Sequence, residues 1–252
     1  MAEDGRPDAK PATPGKLPLF YRQPQPLDTV RDAGLGIKDV IDFGFARETN
    51  SVPLAGVEFD PASAHYPIVF AAGERIFPVA VLGLRGNRNA FVDAAGRWLP
   101  GSYIPSYVRR YPFIFAAAAG SDKLTLCADR ASELLLQNAG RPLFADGKPT
   151  AVTESALKFC TEFEQQYRAT LEFAEALRQQ QLLVTVRADA SLVGGEKLSL
   201  ADLLIVDEAR LNAVPDEMFL TWRRRNWLRP LHAHLRSQAN WPALADRSAG
   251  AA

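Results

Sequence analysis

Residues 153–181 decide how the chain is read: Thr153-Glu154-Ser155-Ala156-Leu157-Lys158-Phe159-Cys160-Thr161-Glu162-Phe163-Glu164-Gln165-Gln166-Tyr167-Arg168-Ala169-Thr170-Leu171-Glu172-Phe173-Ala174-Glu175-Ala176-Leu177-Arg178-Gln179-Gln180-Gln181. Leu157, Cys160, Phe163, Tyr167, Leu171, Ala174 and Leu177 recur at steps of three and four, which puts one apolar stripe on an α-helix. Glu154, Glu164, Gln165, Arg168, Glu175 and Arg178 fill the remaining surface. Thr153 stands where an N-cap belongs, and Glu154 suits the positive end of the helix dipole. Leu171, in the middle of the stripe, is expected to be among the positions most sensitive to truncation.

Before this helix the signals are those of β-structure. Pro67 to Ala72 and Phe77 to Leu84 are short apolar runs around Gly73-Glu74-Arg75, the pattern of a hairpin. Ala90 to Asp93 and Arg97 to Leu99 flank Ala94-Ala95-Gly96, a second hairpin whose glycine supplies a positive φ. Phe113 to Ala117 and Leu124 to Ala128 form a further strand pair. Shorter strand pieces are expected at Phe43 to Ala46 and Val52 to Leu54. Ile104 to Tyr111 reads as one or two helical turns, entered through Pro105 and stopped by Pro112.

After the helix, Leu182 to Val186 reads as a strand, Gly194-Gly195 as a turn and Leu203 to Val206 as an extended run. Pro215-Asp216-Glu217 opens a helix, and another spans Trp227 to Ala239. The expected fold class is therefore α+β: an antiparallel β-rich part over residues 17–150, packed against a long helix and C-terminal helices over 151–247, in a single domain. Residues 1–16 combine charges and prolines with almost nothing to bury, so they read as a disordered tail.

Composition excludes several function classes. The 252 residues carry 29 basic and 29 acidic side chains, a net charge of zero, so no global attraction to nucleic acid arises and no nucleic-acid partner is expected. The longest apolar run, Pro112 to Ala119, is far short of the roughly 20 residues a membrane-spanning helix needs. The N-terminus lacks a basic segment followed by an apolar one, which reads as a cytoplasmic start. Cys127 and Cys160 share no short spacing and read as buried free thiols.

Chemistry-bearing patterns are sparse. His232 and His234 lie two positions apart, about 200° around a helix, so they cannot hold one metal together; no metal or other cofactor is expected. One of them is expected to pack with a hydrogen bond and the other to face solvent. No nucleophile elbow, phosphate-binding loop or dinucleotide fingerprint is present, and no catalytic residue is assigned. Glu58-Phe59-Asp60-Pro61-Ala62-Ser63-Ala64-His65 brings two carboxylates and an imidazole into one loop, the raw material of acid–base chemistry or of a loop with caps. Arg109 and Arg110 beside Tyr107 and Tyr111 combine cations with aromatic faces. The candidate binding residues are Glu58, His65, Tyr107, Arg109 and Arg110. Trp222-Arg223-Arg224-Arg225-Asn226-Trp227 reads as a helix end carrying ion pairs, with a protein-partner contact or a nucleic-acid contact as the other readings.

A succession of local words resembles one bacterial family. Pro18-Leu19-Phe20-Tyr21 with Pro26-Leu27 is followed by Ala64-His65-Tyr66-Pro67-Ile68-Val69-Phe70, Pro78-Val79-Ala80-Val81-Leu82-Gly83-Leu84 and Phe91-Val92-Asp93 with Gly96-Arg97-Trp98. Next come Tyr103-Ile104-Pro105-Ser106-Tyr107-Val108-Arg109-Arg110-Tyr111-Pro112-Phe113, Leu204-Ile205-Val206-Asp207-Glu208-Ala209-Arg210-Leu211-Asn212 and His232-Ala233-His234-Leu235. In this order, over roughly residues 17–245, they resemble the SapC family. The resemblance implies a cytoplasmic accessory protein with a protein partner, in the setting of surface-layer secretion or outer-membrane receptors. The family's genes also lie near flavin-dependent tryptophan halogenases, which implies an alternative: an enzyme, or the substrate-binding partner of a modifying enzyme, with a polar pocket. The resemblance brings no catalytic motif to these positions.

Overall fold

The helix begins two residues before its expected start and supplies the axis of the structure. The computed structural model describes residues 17–40, 42–73, 75–117, 124–191 and 197–250. The expected tail, the Gly194-Gly195 turn and the end of the Pro112 to Ala119 run lie outside the described residues.

In chain order the elements are β1 (Pro24–Pro26), β2 (Leu35–Ile37), β3 (Ser51–Pro53), α1 (Phe59–Ala62), β4 (Ile68–Ala71), β5 (Phe77–Val81), α2 (Ser106–Arg109), β6 (Phe113–Ala117) and β7 (Leu124–Asp129). They continue through β8 (Leu135–Gln137), β9 (Arg141–Pro142), β10 (Phe144–Ala145), β11 (Lys148–Pro149) and the 29-residue α3 (Ala151–Gln179). Then follow β12 (Leu183–Ser191), β13 (Lys197–Val206), α4 (Glu208–Asn212), α5 (Asp216–Arg224), α6 (Leu228–Ser237) and α7 (Trp241–Gly250). Antiparallel sheets joined to a long helix and C-terminal helices make this an α+β fold.

All strand pairs are antiparallel. The largest sheet runs β12-β13-β4-β5-β3; two smaller ones run β1-β7-β6 and β8-β2-β9, and β10 pairs with β11. The hairpin expected around residues 73–75 is the β4–β5 pair. The second expected hairpin is reduced to a single bridge between Val92 and Trp98, its turn closed by Gly96 at φ +75°. The strand expected at Phe43 to Ala46 is instead a 3-10 turn over Gly44–Ala46. Asp42 accepts a hydrogen bond from the Gly44 amide there, and the Gly96 carbonyl accepts one from Phe43, so the local side chain outbids a strand ladder.

Two apolar cores form, and α3 enters both. The larger holds Phe59, Phe70, Phe173, Ala174, Leu177 and Leu231 around the five-stranded sheet. The second holds Tyr21, Phe113, Ile114, Leu126, Leu143 and Cys160 around the β1-β7-β6 sheet. The inward face of α3 is rotated from the expected stripe. Thr153, Cys160, Phe163, Thr170, Phe173, Ala174 and Leu177 are buried, Leu157 is exposed, and Leu171 is only half-buried. Polar and aromatic partners set this rotation. Thr170 Oγ1 accepts a 2.8 Å hydrogen bond from the Gly56 amide, and Tyr167 stacks on Phe77 with ring centroids 4.4 Å apart. Thr153 is a buried first-turn residue rather than the cap, donating from Oγ1 to the Leu143 carbonyl at 2.6 Å. Thr150, extended at ψ 172°, occupies the cap position.

The C-terminal helices dock by supplying hydrogen bonds to strand backbone. Ser237 Oγ accepts from the Ile68 amide at 3.0 Å, and Gln238 Nε2 donates to the Ile68 carbonyl at 2.8 Å. The Val206 amide donates to His234 Nε2 at 3.1 Å, and Leu84 donates to Ser248 Oγ at 3.1 Å. His234 is fully buried and His232 is exposed, the division expected from their spacing. Because α6 puts them on nearly opposite faces, only one reaches the sheet. The last helix, α7, has no counterpart in the sequence reading. Trp241-Pro242-Ala243 opens it, with proline where a missing amide donor costs nothing. The arginine cluster ends α5 as expected, with Trp222 buried and the Arg225 guanidinium 4.8 Å from the Trp227 ring.

Two measurements test this arrangement. Leu177→Ala should lower stability in urea titration by about 2–5 kcal/mol, and Leu171→Ala by well under half of that, since only the former leaves an enclosed cavity. Burial holds His234 near a pKa of about 4, below its ordinary 6.5. The neutral folded imidazole therefore binds fewer protons than the unfolded one once the pH falls below 6.5. Stability should drop between pH 6.5 and 4 with a slope approaching about 1.4 kcal/mol per pH unit, and His234→Gln should flatten it. His65, also pushed down by partial burial and by Arg247, is the control substitution.

Candidate functional site

The short helix α2 carries Tyr107 and Arg109, with Arg110 capping its C-terminal end, and Glu58 fixes where it starts. Glu58 is buried, with Oε1 accepting from the Tyr103 hydroxyl at 2.9 Å and from the Ser106 amide at 2.6 Å, while Oε2 accepts from the Ala55 amide at 3.0 Å. One carboxylate thus ties a 3-10 turn over Gly56–Glu58 to the first amide of α2. Burial first, and then the Glu58 carboxylate, push the Tyr103 hydroxyl up to about 12. With its oxygens engaged by three donors, Glu58 acts as a structural clamp.

The loop that joined Glu58, Asp60 and His65 in sequence separates them in space. Asp60 turns outward to accept from Arg229 Nε and from Arg236 Nη2 at 3.3 Å, and chiefly the Arg229 hydrogen bond holds it below the usual carboxylate range. His65 is half-buried against Tyr66 and makes no hydrogen bond to Glu58, Tyr107, Arg109 or Arg110. Acid–base cooperation among these three groups is not built. Among the described residues no three His, Cys, Asp or Glu side chains gather as a metal-binding group.

The arginines present a different picture. Arg109 is braced by Nε donating to the Ile104 carbonyl at 3.0 Å and Nη2 donating to Ser106 Oγ at 2.9 Å, and its guanidinium lies 5.4 Å from the Phe159 ring. The Arg110 guanidinium is held between the Tyr107 and Phe163 rings, 4.2 and 4.3 Å from their centroids, with Tyr21 at 5.6 Å. Its buried Nε has no hydrogen-bond partner. Tyr107 serves as a platform behind Arg110, its hydroxyl donating to the Leu19 carbonyl at 3.2 Å. Among the described residues neither Arg109 nor Arg110 has a carboxylate within ion-pair distance.

Both arginines line a cleft of about 380 Å³ between α2, β6, β9 and the first turns of α3. Ile37, Val152 and Phe159 give it apolar walls, Arg141 stands at its edge, and no Asp or Glu lines it. Arg141 pairs with Asp39 at 3.7 Å, both side chains being exposed. Cys160 also touches the cleft, but burial pushes its thiol up to about 11, which suppresses the nucleophilic thiolate. Of the five candidate residues, then, Arg109 and Arg110 face the cleft, Tyr107 supports them, Glu58 clamps the helix that carries them, and His65 stands elsewhere. Arg141 and Phe159 escaped the sequence reading because nothing local marks them; they lie 31 and 49 positions beyond Arg110 and meet it only after β9 and α3 are in place.

A family model described as SapC matches residues 27–244. The chain belongs to the SapC family. No curated protein and no solved structure matches it. The SapC match spans β2 to the middle of α7, so it contains every residue lining the arginine cleft and the Glu58 clamp. Among the described residues of this SapC protein no helix is long and apolar enough to cross a membrane.

The Glu58 clamp gives a direct test. Glu58→Gln replaces acceptor capacity with an N–H₂ donor facing one of three buried donors. It should lower stability by about 1–3 kcal/mol in denaturant titration. The near-ultraviolet signal of Tyr103 and Tyr107 should change with it; an unaltered midpoint and spectrum would show that α2 is held by other contacts.

Proposed function

We propose that this SapC protein is a cytoplasmic accessory binding protein that works through a protein partner, in the surface-layer or outer-membrane setting its family resemblance implies. The arginine cleft is its binding site. The observation that carries this reading is the pairing of two cations that lack carboxylate partners among the described residues with a nearby carboxylate, Glu58, whose oxygens are already taken. Such a cleft is equipped to hold a group and poorly equipped to move a proton. The candidate residues Tyr107, Arg109 and Arg110 act together in it, whereas Glu58 acts through the backbone of α2.

A second reading is favoured by the apolar walls. Ile37, Val152 and Phe159 would suit a small molecule presented to a modifying enzyme, as a substrate-binding partner does. A photoreactive phenylalanine analogue at position 159 separates the two in living cells. Cross-linking to one protein, absent when the analogue is placed at exposed His232, is the expected result. Attachment of a small molecule alone would favour substrate presentation. Equal cross-linking from both positions, or none from either, would remove the cleft as the site of a protein partner.

A further inference from the structure

We infer that the cleft holds an organic anion, an apolar body carrying one carboxylate or phosphate head, with Arg110 and Arg109 on the head and Phe159, Val152 and Ile37 around the body. This rests on the reading of the cleft as the binding site and adds the chemistry of what it takes.

Two features of Arg110 point to an oxyanion. Both faces of its guanidinium are covered, by Tyr107 at 4.2 Å and Phe163 at 4.3 Å, so the remaining hydrogen-bonding capacity lies along the edge. Guanidinium edges present parallel N–H groups that match the two oxygens of a carboxylate or phosphate. Its Nε is buried without a partner, and a partly desolvated cation lacking a counter-charge is an unfavourable state that a bound anion relieves. Arg109 adds a second cation already fixed by the Ile104 carbonyl and Ser106, so little side-chain freedom is lost on binding. Arg141 is engaged only through an exposed contact with Asp39 at 3.7 Å, the kind of pair that contributes little. No lining carboxylate competes.

Size and polarity define the rest of the ligand. A head group alone leaves most of a cleft of about 380 Å³ unfilled, and what remains is walled by aliphatic and aromatic carbon. An apolar body there gains by leaving water. A strongly hydrated inorganic ion gains nothing from those walls, which favours an amphipathic anion over phosphate itself.

Calorimetric titration at constant ionic strength with octanoate, hexyl phosphate, inorganic phosphate and neutral octanol tests the inference on the full chain. Octanoate or hexyl phosphate should bind at least about tenfold more tightly than inorganic phosphate and than octanol, a gap of about 1.4 kcal/mol. Arg109→Gln with Arg141→Gln should weaken binding about tenfold or more while the unfolding midpoint is unchanged, neither residue being buried. Arg110→Lys, which retains charge and loses the fork, should weaken it as well. No binding by either organic anion up to about 10 mM, octanol binding equally well, or affinity that survives the double substitution would each overturn the inference. Competition separates it from the broader reading. A protein cross-linked at position 159 and undisturbed by saturating octanoate would leave the accessory role standing and remove the anion. Anion binding without any cross-linked protein would do the reverse.

Discussion

The structure depends on one helix being shared between two cores. Over its 29 residues α3 places Cys160 among Tyr21, Phe113 and Leu126, and then Phe173, Ala174 and Leu177 among Phe59, Phe70 and Leu231. A helix rises about 1.5 Å per residue, so its ends lie some 40 Å apart and it reaches both packing units, which Phe20 and Phe45 also bridge. Phe163 sits between the two sets of contacts. It packs in the larger core, lies 6.1 Å from Tyr107 ring to ring, and covers one face of Arg110. The arginine cleft is thus where the sheet β1-β7-β6, the short helix α2 and the start of α3 come together without closing.

Polar groups of the structure divide into two kinds. Glu58, Thr153, Thr170, His234, Ser237 and Ser248 are buried, and each makes a hydrogen bond to backbone of another part of the chain. Those bonds fix element against element, since losing any one strands a buried donor or acceptor. Arg109 and Arg110 are of the second kind. They are held in place by rings and carbonyls, which orient a guanidinium without neutralising it. Other arginines do meet carboxylates: Arg130 meets Asp32, whose carboxyl is held at about 2, and Arg229 and Arg236 meet Asp60.

Much of the architecture was legible from local pattern. The period of 3.6 in residues 153–181, the paired apolar runs around Gly73, the prolines bracketing α2 and the two-residue spacing of His232 and His234 each depend on neighbours a few positions away, and each has its counterpart in the structure. Leu157 and Leu171 mark the limit of that reading. Periodicity shows that a helix has an apolar face, but its centre is decided by distant partners, here the Gly56 amide on Thr170 and the Phe77 ring on Tyr167. At Gly44–Ala46 a hydrogen bond from the Gly44 amide to the Asp42 carboxylate displaced a strand for the same kind of reason.

For the site, the sequence by itself determined which side chains carry charge and aromatic surface: Tyr107, Arg109 and Arg110 in one short stretch, and Glu58 ahead of it. It also determined the family, through the order of words along most of the chain. Only the tertiary structure decided what those residues do. It turned Glu58 into a clamp with three donors, sent Asp60 to Arg229 and Arg236, left His65 apart, and brought Arg141 and Phe159 across from β9 and α3 to face Arg109 and Arg110. The physical reason is range. Helix and strand formation are governed by contacts within a few residues, whereas the partner of a charge is set by which elements pack together. In this chain those elements join positions more than thirty residues apart.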